Sequence, residues 1–359
     1  MKKTLVALAA VASMSAFAQS SVTLYGVADI WLGNIKTSVG GTKTYVNSGG
    51  STGNFMGSGG INGSRFGLKG SEDLGGGLKA NFLFENGFNL DSGAAAQGGL
   101  LFGRQAYAGL SGGFGEVRFG RQYSAYDEAR GGSDLMGHTA FSPTAGTANA
   151  WGNGRNYGFR IDNSWRYATP NFGGFTAAVT YGLGENKSST GNAGGVFALH
   201  AAYNNGPISA FFAHQQEKTG SSGVPLNLLN GGVSFAPTAT KETHTLLSGA
   251  YDLGVVKLRG AFNQSKDNAV AGPNADKEFA FGVAAPLGPV TLEAEFATSK
   301  NNQSKANAIG LQAKYNLSKR TFVYTGFNTG KQTTTPAGVG AVGVATKTQI
   351  LAVGLRHGF

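Results

Sequence analysis

Apolar and polar residues alternate in segments of about ten residues along the whole chain. In the last segment, the odd-numbered residues from Leu351 to Phe359 are mostly large and apolar, whereas the even-numbered ones from Ala352 to Gly358 are small or charged. The same sorting occurs at residues 63–70, 79–85, 159–167, 256–263, 290–296 and 309–315. A period of two is that of a pleated β-strand, and no segment makes a good amphipathic helix. The pattern predicts a chain built almost entirely of strands.

The connections between these segments alternate between short turns and long polar loops. Short turns are predicted at residues 71–77, 111–115, 168–174, 204–207, 252–254, 286–288 and 316–319. Long loops are predicted at residues 33–60, 86–100, 122–158, 183–194, 215–242, 264–276, 299–306 and 328–348. Seven turns and eight loops separate sixteen strands. Even strand counts with short turns at one end and long loops at the other are typical of outer-membrane barrels, and sixteen strands leave an aqueous channel.

A soluble β-sandwich also alternates, but with its apolar face inside. Two features favour the barrel. The residues opposite the apolar ones are small or charged in strand after strand, as a wet lumen requires, and the connections alternate in length. The predicted fold is therefore an all-β, 16-stranded antiparallel transmembrane β-barrel with short periplasmic turns and long external loops.

The N-terminus has the three parts of a secretory signal peptide. Lys2 and Lys3 are basic, residues 5–12 are apolar, and Ala16 and Ala18 form a small-x-small cleavage site. The apolar run is far shorter than the roughly twenty residues of a membrane-spanning helix. We expect residues 1–18 to be a cleaved signal peptide and residues 19–359 to be one barrel domain.

Composition narrows the class of protein further. The 359 residues include 59 glycines and no cysteine, but also 24 phenylalanines and 12 tyrosines, which argue against disorder. Without disulfides, stability has to come from another source, such as a closed hydrogen-bonded sheet. The net charge of +10 becomes +8 when Lys2 and Lys3 leave with the signal peptide. A basic balance suits anionic lipid, anionic solutes or nucleic acid, and export makes nucleic acid the least expected partner. Tyrosines near short turns predict an aromatic girdle at the membrane surface, namely Tyr167, Tyr203, Tyr251 and Tyr315.

Several segments resemble a known family. They are residues 21–26 (SVTLYG), 63–75 (GSRFGLKGSEDLG), 102–110 (FGRQAYAGL), 163–167 (NSWRY) and the terminal Phe359. In order and spacing they are similar to general-diffusion trimeric porins of Gram-negative outer membranes, particularly the β-proteobacterial, anion-selective type. The resemblance implies a homotrimer in the outer membrane, surrounded by lipid and lipopolysaccharide, with an inward-folded third loop narrowing each pore. It also implies that Phe359 is an assembly signal read by the outer-membrane insertion machinery.

The longest connection runs from Arg121 to Phe159 and carries the acids Asp127, Glu128 and Asp134 among glycines. Long loops in compact folds are usually functional. By strand parity Arg65, Arg118 and Arg166 face the lumen, and Arg104 is assigned there although its strand has apolar residues at both parities. The resemblance implies a pore constriction with Arg65, Arg104 and Arg166 on the wall and Glu85 and Asp134 as acidic partners. The enteric loop-tip motif of the Pro-Glu-Phe type is not found in the sequence.

Charges of inward parity on the strands suggest what the lumen prefers. Eleven are basic and seven are acidic. Rings of arginine and lysine in a constriction favour anions, whereas carboxylate rings favour cations. The sequence therefore predicts passive diffusion of small hydrophilic solutes and inorganic anions. Two alternatives stay open: a substrate-specific channel for phosphate or organic acids, and an adhesin or receptor surface on a barrel scaffold.

Signals for an enzyme, a metal or a cofactor are weak. Residues 49–53 (GGSTG) match the G-x-S-x-G nucleophile pattern, but no strand precedes them and no helix follows. The five histidines form no H-x-x-x-H pair, and no phosphate-binding loop motif is present. We therefore expect neither catalysis nor a cofactor.

Overall fold

The computed structural model describes residues 21–43, 53–151, 157–184, 193–218, 241–267, 275–302, 304–334 and 343–359. In these ranges eighteen strands form one antiparallel sheet. They are β1 (Ser21–Val39), β2 (Thr42–Lys43), β3 (Gly53–Ser58), β4 (Arg65–Gly75), β5 (Leu78–Gly87), β6 (Gln105–Gly112), β7 (Gly115–Tyr123), β8 (Arg160–Ala168), β9 (Phe175–Leu183), β10 (Gly195–Asn205), β11 (Ile208–Lys218), β12 (Lys241–Asp252), β13 (Lys257–Asp267), β14 (Ala275–Leu287), β15 (Val290–Lys300), β16 (Ser304–Asn316), β17 (Thr321–Thr334) and β18 (Val344–Gly358). The same ranges contain a 3-10 turn (Gln97–Gly99) and helix α1 (Ala125–Ser133). No helix in this part of the chain is long and apolar enough to cross a membrane.

The sheet closes because the last strand pairs with the first. The register of β18 on β1 runs from Gly358 opposite Val27 to Thr346 opposite Val39. β3 and β4 both pair with β1 and share one position in the wall, whereas β2 folds back on the end of β1. Sixteen wall positions remain among the described strands, which confirms the predicted sixteen-stranded barrel. Closure leaves the sheet without an open edge.

The two faces of the wall are inverted relative to a water-soluble protein. Large apolar side chains on the outer face are exposed, among them Phe279 (52%) and Phe281 (56%) of β14. On the inner face of β13 and β14, Asn263 and Glu278 are fully buried. A barrel in lipid requires an apolar exterior and a polar interior, whereas a soluble sandwich has the reverse. This arrangement decides between the two folds that alternation permits.

Several strands extend further toward the long loops than the sequence predicts. β1 continues to Val39, although a loop was predicted from residue 33, and only residues 301–303 separate β15 from β16. The prediction that long and short connections alternate strictly is therefore wrong at that loop. The outward positions of these extensions are polar, as at Lys36, Lys300 and Lys305, so the apolar outward face ends before the pairing of the strands does. The nine-residue helix α1 was not predicted either, because it is too short for a helical period to stand out.

A bulge in β8 changes the direction of the side chains that precede it. Asn163 has a φ of 49°, and the pairing of β7 with β8 shifts register between Gly120 and Gln122. Ile161, predicted to face outward, is instead 1% exposed, and its side chain occupies the space that a β-carbon of Gly182 would need. An extra residue in one strand re-aims its neighbours, and alternation cannot reveal it.

Candidate functional site

The connection between β7 and β8, residues 124–159 and here called loop 3, folds into the lumen. Its helix α1 packs against β9–β13 on their inner face. The side chain of Ser124 caps α1 by accepting a hydrogen bond from the backbone N–H of Asp127 (3.1 Å). Nδ1 of His200 on β10 lies 2.7 Å from the carbonyl oxygen of Ala125. The start of loop 3 is thereby fixed to the wall.

Asp134 organises the middle of loop 3. Its carboxylate accepts hydrogen bonds from the backbone N–H groups of Met136 (2.8 Å), Gly137 (3.1 Å) and His138 (3.1 Å) and from the hydroxyls of Ser142 (2.7 Å) and Thr144 (2.8 Å). Burial by itself raises the pKa of this carboxyl, but His138, the two hydroxyls and Arg130 together hold the pKa below its usual value of 3.8. One carboxylate therefore holds residues 134–144 in a compact turn.

The end of loop 3 rests on glycines of the opposite wall. The ring of Phe141 is fully buried and fills the space beside Gly326, where a β-carbon would lie 2.3 Å from the ring. The backbone carbonyl oxygen of Phe141 lies beside Gly310, where a β-carbon would be 2.1 Å from it. Side-chain Nδ2 of Asn328 donates to that carbonyl (2.9 Å), and Oδ1 of Asn328 accepts from the backbone N–H of Ala148 (2.8 Å). We call Gly310, Gly326 and Asn328 the glycine seat. Only a wall without side chains at these two glycines lets the loop approach so closely.

A cluster of arginines lies on the wall of β4–β8, away from the strands β9–β13 against which α1 packs. Nε of Arg104 donates to Oε1 of Glu85 (2.8 Å), and Nη2 of Arg104 donates to the hydroxyl of Tyr123 (2.8 Å). The same hydroxyl accepts from Nη2 of Arg160 (2.8 Å). Arg65 is within electrostatic reach of both Arg104 and Glu85. We call Arg65, Arg104 and Arg160 the arginine cluster.

A second group of charges lies lower on the same wall. Arg118 and Arg166 are opposite each other in the register of β7 and β8. Nη2 of Arg166 lies 2.6 Å from a carboxylate oxygen of Glu128 on α1, and Nη2 of Arg118 lies 2.6 Å from one of Glu116. Each of these two arginines therefore has a carboxylate of its own, and Arg166 links the wall to loop 3.

The structure brings some of the sequence-derived candidates together and separates others. Arg65, Arg104 and Glu85 form one group, whereas Arg118 and Arg166 belong to the second. The hydrogen bonds of Asp134 described above stay within loop 3. The wall charges that Asp134 influences are Arg259 and Glu295, on the side of the lumen away from the arginine cluster.

Sequence reasoning did not select three residues of this site. Arg160 was counted only as one of the eleven inward basic charges, Glu128 was noted only as an acid of the loop, and Tyr123 was not considered. The only available signal was their position at the two ends of loop 3, next to strands with inward arginines. Which arginine each would meet depends on how the loop returns to the wall.

Comparison with known proteins identifies the family of the chain. A family model described as Gram-negative porin matches residues 4–335. Outer membrane porin protein 32 of Delftia acidovorans is 36% identical over 378 residues, covering 100% of both chains. The solved structure of an anion-selective porin from Comamonas acidovorans superposes with a TM-score of 0.74 at 31% identity, covering 95% of this chain and 100% of that one. A trimer form of OmpT from Vibrio cholerae shares the fold, with a TM-score of 0.65 and 18% identity over 95% of this chain and 99% of that one. The chain therefore belongs to the Gram-negative porin family, whose members are passive channels of the outer membrane and not enzymes.

Proposed function

We propose that the channel passes small hydrophilic solutes by passive diffusion and that the arginine cluster makes it prefer anions. The observation that carries the proposal is the convergence of Arg104 and Arg160 on one tyrosine hydroxyl, with Arg65 beside them and Glu85 as the bonded carboxylate. Like charges repel, so such a group persists only where the fold holds it in place. A passing anion lowers the electrostatic energy of the arginine group, whereas a passing cation raises it.

Arginine suits this task for two reasons. It stays charged at any relevant pH, and its planar fork presents several N–H donors to a carboxylate, phosphate or sulfate. Among the described residues, Nε of Arg160 and both Nε and Nη1 of Arg166 donate to no protein acceptor. These three nitrogens are buried, and Nη2 of Arg166 is directed to Glu128.

The candidate residues take different parts in this proposal. Arg65, Arg104 and Arg160 attract anions, and Glu85 moderates their field. Arg118 and Arg166 contribute less, because Glu116 and Glu128 offset their charges. Asp134 sets the width of the constriction by holding the loop, rather than by facing the arginines.

Planar-bilayer recordings across a KCl gradient test the proposal, since they give conductance and reversal potential together. We expect open channels with an anion-type reversal potential in the wild type. Arg160→Gln should move the potential toward cations, and Arg104→Gln combined with Arg160→Gln should move it further. Arg356→Gln is the matched control, because it removes the same charge near a short turn. An unchanged potential in the double variant would place the selective charges elsewhere, and absence of current would reject the pore.

A substrate-specific anion channel is the second candidate, favoured by the gathering of Arg65, Arg104 and Arg160 in one cluster. The two functions differ in whether the current saturates as the solute concentration rises. Inorganic phosphate or a dicarboxylate at increasing concentration would block chloride current with a plateau in a specific channel, whereas a general pore would show conductance rising in proportion to salt. Because the constriction charges are held by separate strands rather than around one pocket, we favour the general pore.

The proposal extends to assembly. We infer that the chain forms a homotrimer, because OmpT, which has the same fold, is known in a trimer form. We also infer that lipopolysaccharide and other outer-membrane lipid surround the trimer. The insertion machinery of the outer membrane reads Phe359 in this proposal. Export through cleavage of residues 1–18 belongs to the same proposal, and those residues lie outside the described ranges. Electrophoresis of unheated samples separates a trimer from a monomer, and N-terminal sequencing of the purified protein locates the cleavage site.

A further inference from the structure

Residues 59–64, between β3 and β4, leave the barrel wall on its inner side. The last residue of β3 is opposite Ile30, and the first residue of β4 is opposite Val27. Two residues of β1 are therefore opposite six residues of the neighbouring segment, and the four extra residues have to leave the plane of the sheet. They lie on the inner face, where the fully buried side chain of Asp29 bonds to them. We call residues 59–64 the inner turn.

Asp29 holds the inner turn in place. Its carboxylate accepts hydrogen bonds from three successive backbone N–H groups. They are those of Gly60 (3.2 Å), Ile61 (3.0 Å) and Asn62 (2.8 Å). The backbone of Asp29 also exchanges two hydrogen bonds of 3.1 Å with the hydroxyl of Ser64. Successive N–H groups that converge on one anion form a nest, and their bonds to a carboxylate are stronger than bonds between neutral groups. One acid of β1 thus fixes most of the inner turn.

On one side the inner turn is joined to loop 3. The carbonyl oxygen of Gly60 accepts a hydrogen bond from the backbone N–H of Ala140 (2.8 Å). Ile61 belongs to the same buried apolar cluster as Trp31 and Phe141, and Phe141 is the residue of loop 3 that contacts the glycine seat. The inner turn therefore lies against the part of loop 3 that the glycine seat holds.

On its other side the inner turn lies beside the arginine cluster. A β-carbon at Gly63 would lie 3.3 Å from Nη1 of Arg104. Nε and Nη2 of the same guanidinium donate to Glu85 and Tyr123, so Nη1 is the nitrogen that these two bonds leave over. Arg65 follows two residues after Gly63 in the chain. The inner turn therefore connects loop 3 with the arginine cluster.

Neither the backbone nor close packing against the wall requires glycine at position 63. The φ of Gly63 lies outside the left-handed region, so other residues can adopt the same conformation. Gly63 is exposed, and among the described residues Nη1 of Arg104 is the only atom within 4 Å of its β-carbon position. The missing side chain therefore leaves this nitrogen of Arg104 uncovered.

We propose that the inner turn is a second arm of the constriction and that Gly63 is a position on this arm that determines ion selectivity. Asp29 is its positioning residue, because it is buried and acts through the turn that it holds. Anions approach Arg104 closely where Gly63 has no side chain, and a charge placed there adds to the field of the arginines. The part of Gly63 rests on the proposed anion preference, whereas the place of the inner turn in the channel does not.

Charged labels on a single cysteine test the proposal, because the chain has no cysteine of its own. In Gly63→Cys the thiolate attacks a methanethiosulfonate reagent, forms a mixed disulfide and releases methanesulfinate. A sulfonatoethyl label and a trimethylammonioethyl label should both lower the single-channel conductance, since either one narrows the pore. The reversal potential in a KCl gradient should move toward cations with the sulfonate and further toward anions with the ammonium. Both shifts should shrink at about 1 M salt, where the Debye length is about 3 Å.

Gly113→Cys is the matched control. Gly113 is exposed in a short turn, its φ is also outside the left-handed region, and no described atom lies within 4 Å of its β-carbon position. The same labels should leave its conductance and its reversal potential unchanged. Equal conductance of Gly63→Cys before and after labelling, with the label verified by mass spectrometry, would overturn the second arm. Equal reversal potentials with the two labels would overturn the part of Gly63 in selectivity.

Asp29→Asn combined with Gly63→Cys tests the positioning residue. An NH2 group then replaces one acceptor of the inner turn, so the labels should change the conductance of each open channel less than they do in Gly63→Cys alone. Loss of barrel stability would reduce the number of channels but leave the effect of a label in each of them the same. An undiminished effect would therefore overturn the role of Asp29.

The proposed anion preference can fail without this proposal. An unchanged reversal potential in Arg104→Gln combined with Arg160→Gln would reject the arginine cluster as the selective element. A fall in conductance on labelling Gly63→Cys would still support the second arm in that case, because the fall depends on the size of the label and not on the charge of the wall.

Discussion

Phe141 of loop 3 lies against Gly326 of β17, and its ring occupies the space that a β-carbon at position 326 would need. The contact joins residues far apart in the chain, and it places the loop against a part of the wall that carries no side chain. We therefore expect the position of loop 3, and with it the width of the channel, to depend on the absence of a side chain at Gly326.

Gly326→Ala should displace loop 3 and change the single-channel conductance. A β-carbon would lie 2.3 Å from Cγ of Phe141, well inside van der Waals contact, so the ring has to move by on the order of 1 Å. Adding Phe141→Ala should restore much of the wild-type conductance by removing the clash. Gly260→Ala is the control, since no atom lies within 4 Å of its β-carbon position. Equal conductance in Gly326→Ala and wild type would show that the glycine seat does not set the pore width.

Asp134→Asn should loosen loop 3. In the wild type each carboxylate oxygen of Asp134 accepts hydrogen bonds from at least two donors. In the asparagine variant an NH2 group replaces one of these oxygens, whichever way the amide is turned, and it cannot accept them. A buried donor left unsatisfied costs about 1–3 kcal/mol. Channel recordings should show more frequent transitions between conductance levels. Asp91→Asn, in an exposed loop, removes the same charge as a control, and quiet recordings from the Asp134 variant would contradict this role.

The low pKa of Asp134 predicts how the loop responds to acid. A carboxyl whose pKa is lower in the folded loop than its usual 3.8 stabilises the seated loop fully at pH values above 3.8 and loses that contribution as the pH falls through the folded value. Current fluctuations should therefore stay constant from neutral pH down to about 4 and rise only below it. In Asp134→Asn this acid-dependent rise should be absent, and a rise at higher pH in the wild type would assign the response to another group.

Glu85→Gln should strengthen the anion preference. Glu85 accepts hydrogen bonds from Arg104 (2.8 Å) and from the hydroxyl of Tyr25 (2.9 Å), and glutamine keeps an acceptor while removing the charge that moderates three arginines. The reversal potential in a KCl gradient should move further toward the anion limit. Glu72→Gln, an exposed acid on β4, should leave it unchanged. A shift toward cations would contradict the proposed part of Glu85.

Substitution of Phe359 should impair assembly more than conduction. Gly26 and Phe359 exchange backbone hydrogen bonds of 3.0 and 3.1 Å, and the Phe359 ring lies over Gly26. Phe359→Ala removes the ring but keeps the backbone pairing, whereas Phe359→Tyr keeps an aromatic ring. We expect a marked loss of heat-modifiable barrel in outer-membrane fractions for the alanine variant only, with normal conductance in the channels that do form. Reduced conductance with normal assembly would reverse this assignment.

Most of the wall was predictable from the sequence, because the direction of a side chain in a strand without a bulge follows from its parity. Alternation placed Arg65, Arg118 and Glu85 on the inner face, and turn lengths gave sixteen strands. The partners were not predictable. Arg160 meets Tyr123 because a bulge at Asn163 and the return of loop 3 bring them together, and Asp134 turns inward on its own loop because hydroxyls that follow it reach its carboxylate. Such contacts depend on how loop 3 folds back onto the wall, and no periodic pattern in the sequence predicts that path.

The glycine seat also has a consequence for the order in which the protein forms. Phe141 is synthesised long before Gly310 and Gly326, so no surface exists for it until the last third of the chain has been made. Contacts between distant segments form late, because a large loop has to close first. We therefore expect Phe141 to reach the glycine seat only after β16 and β17 have paired, as one of the later contacts to form.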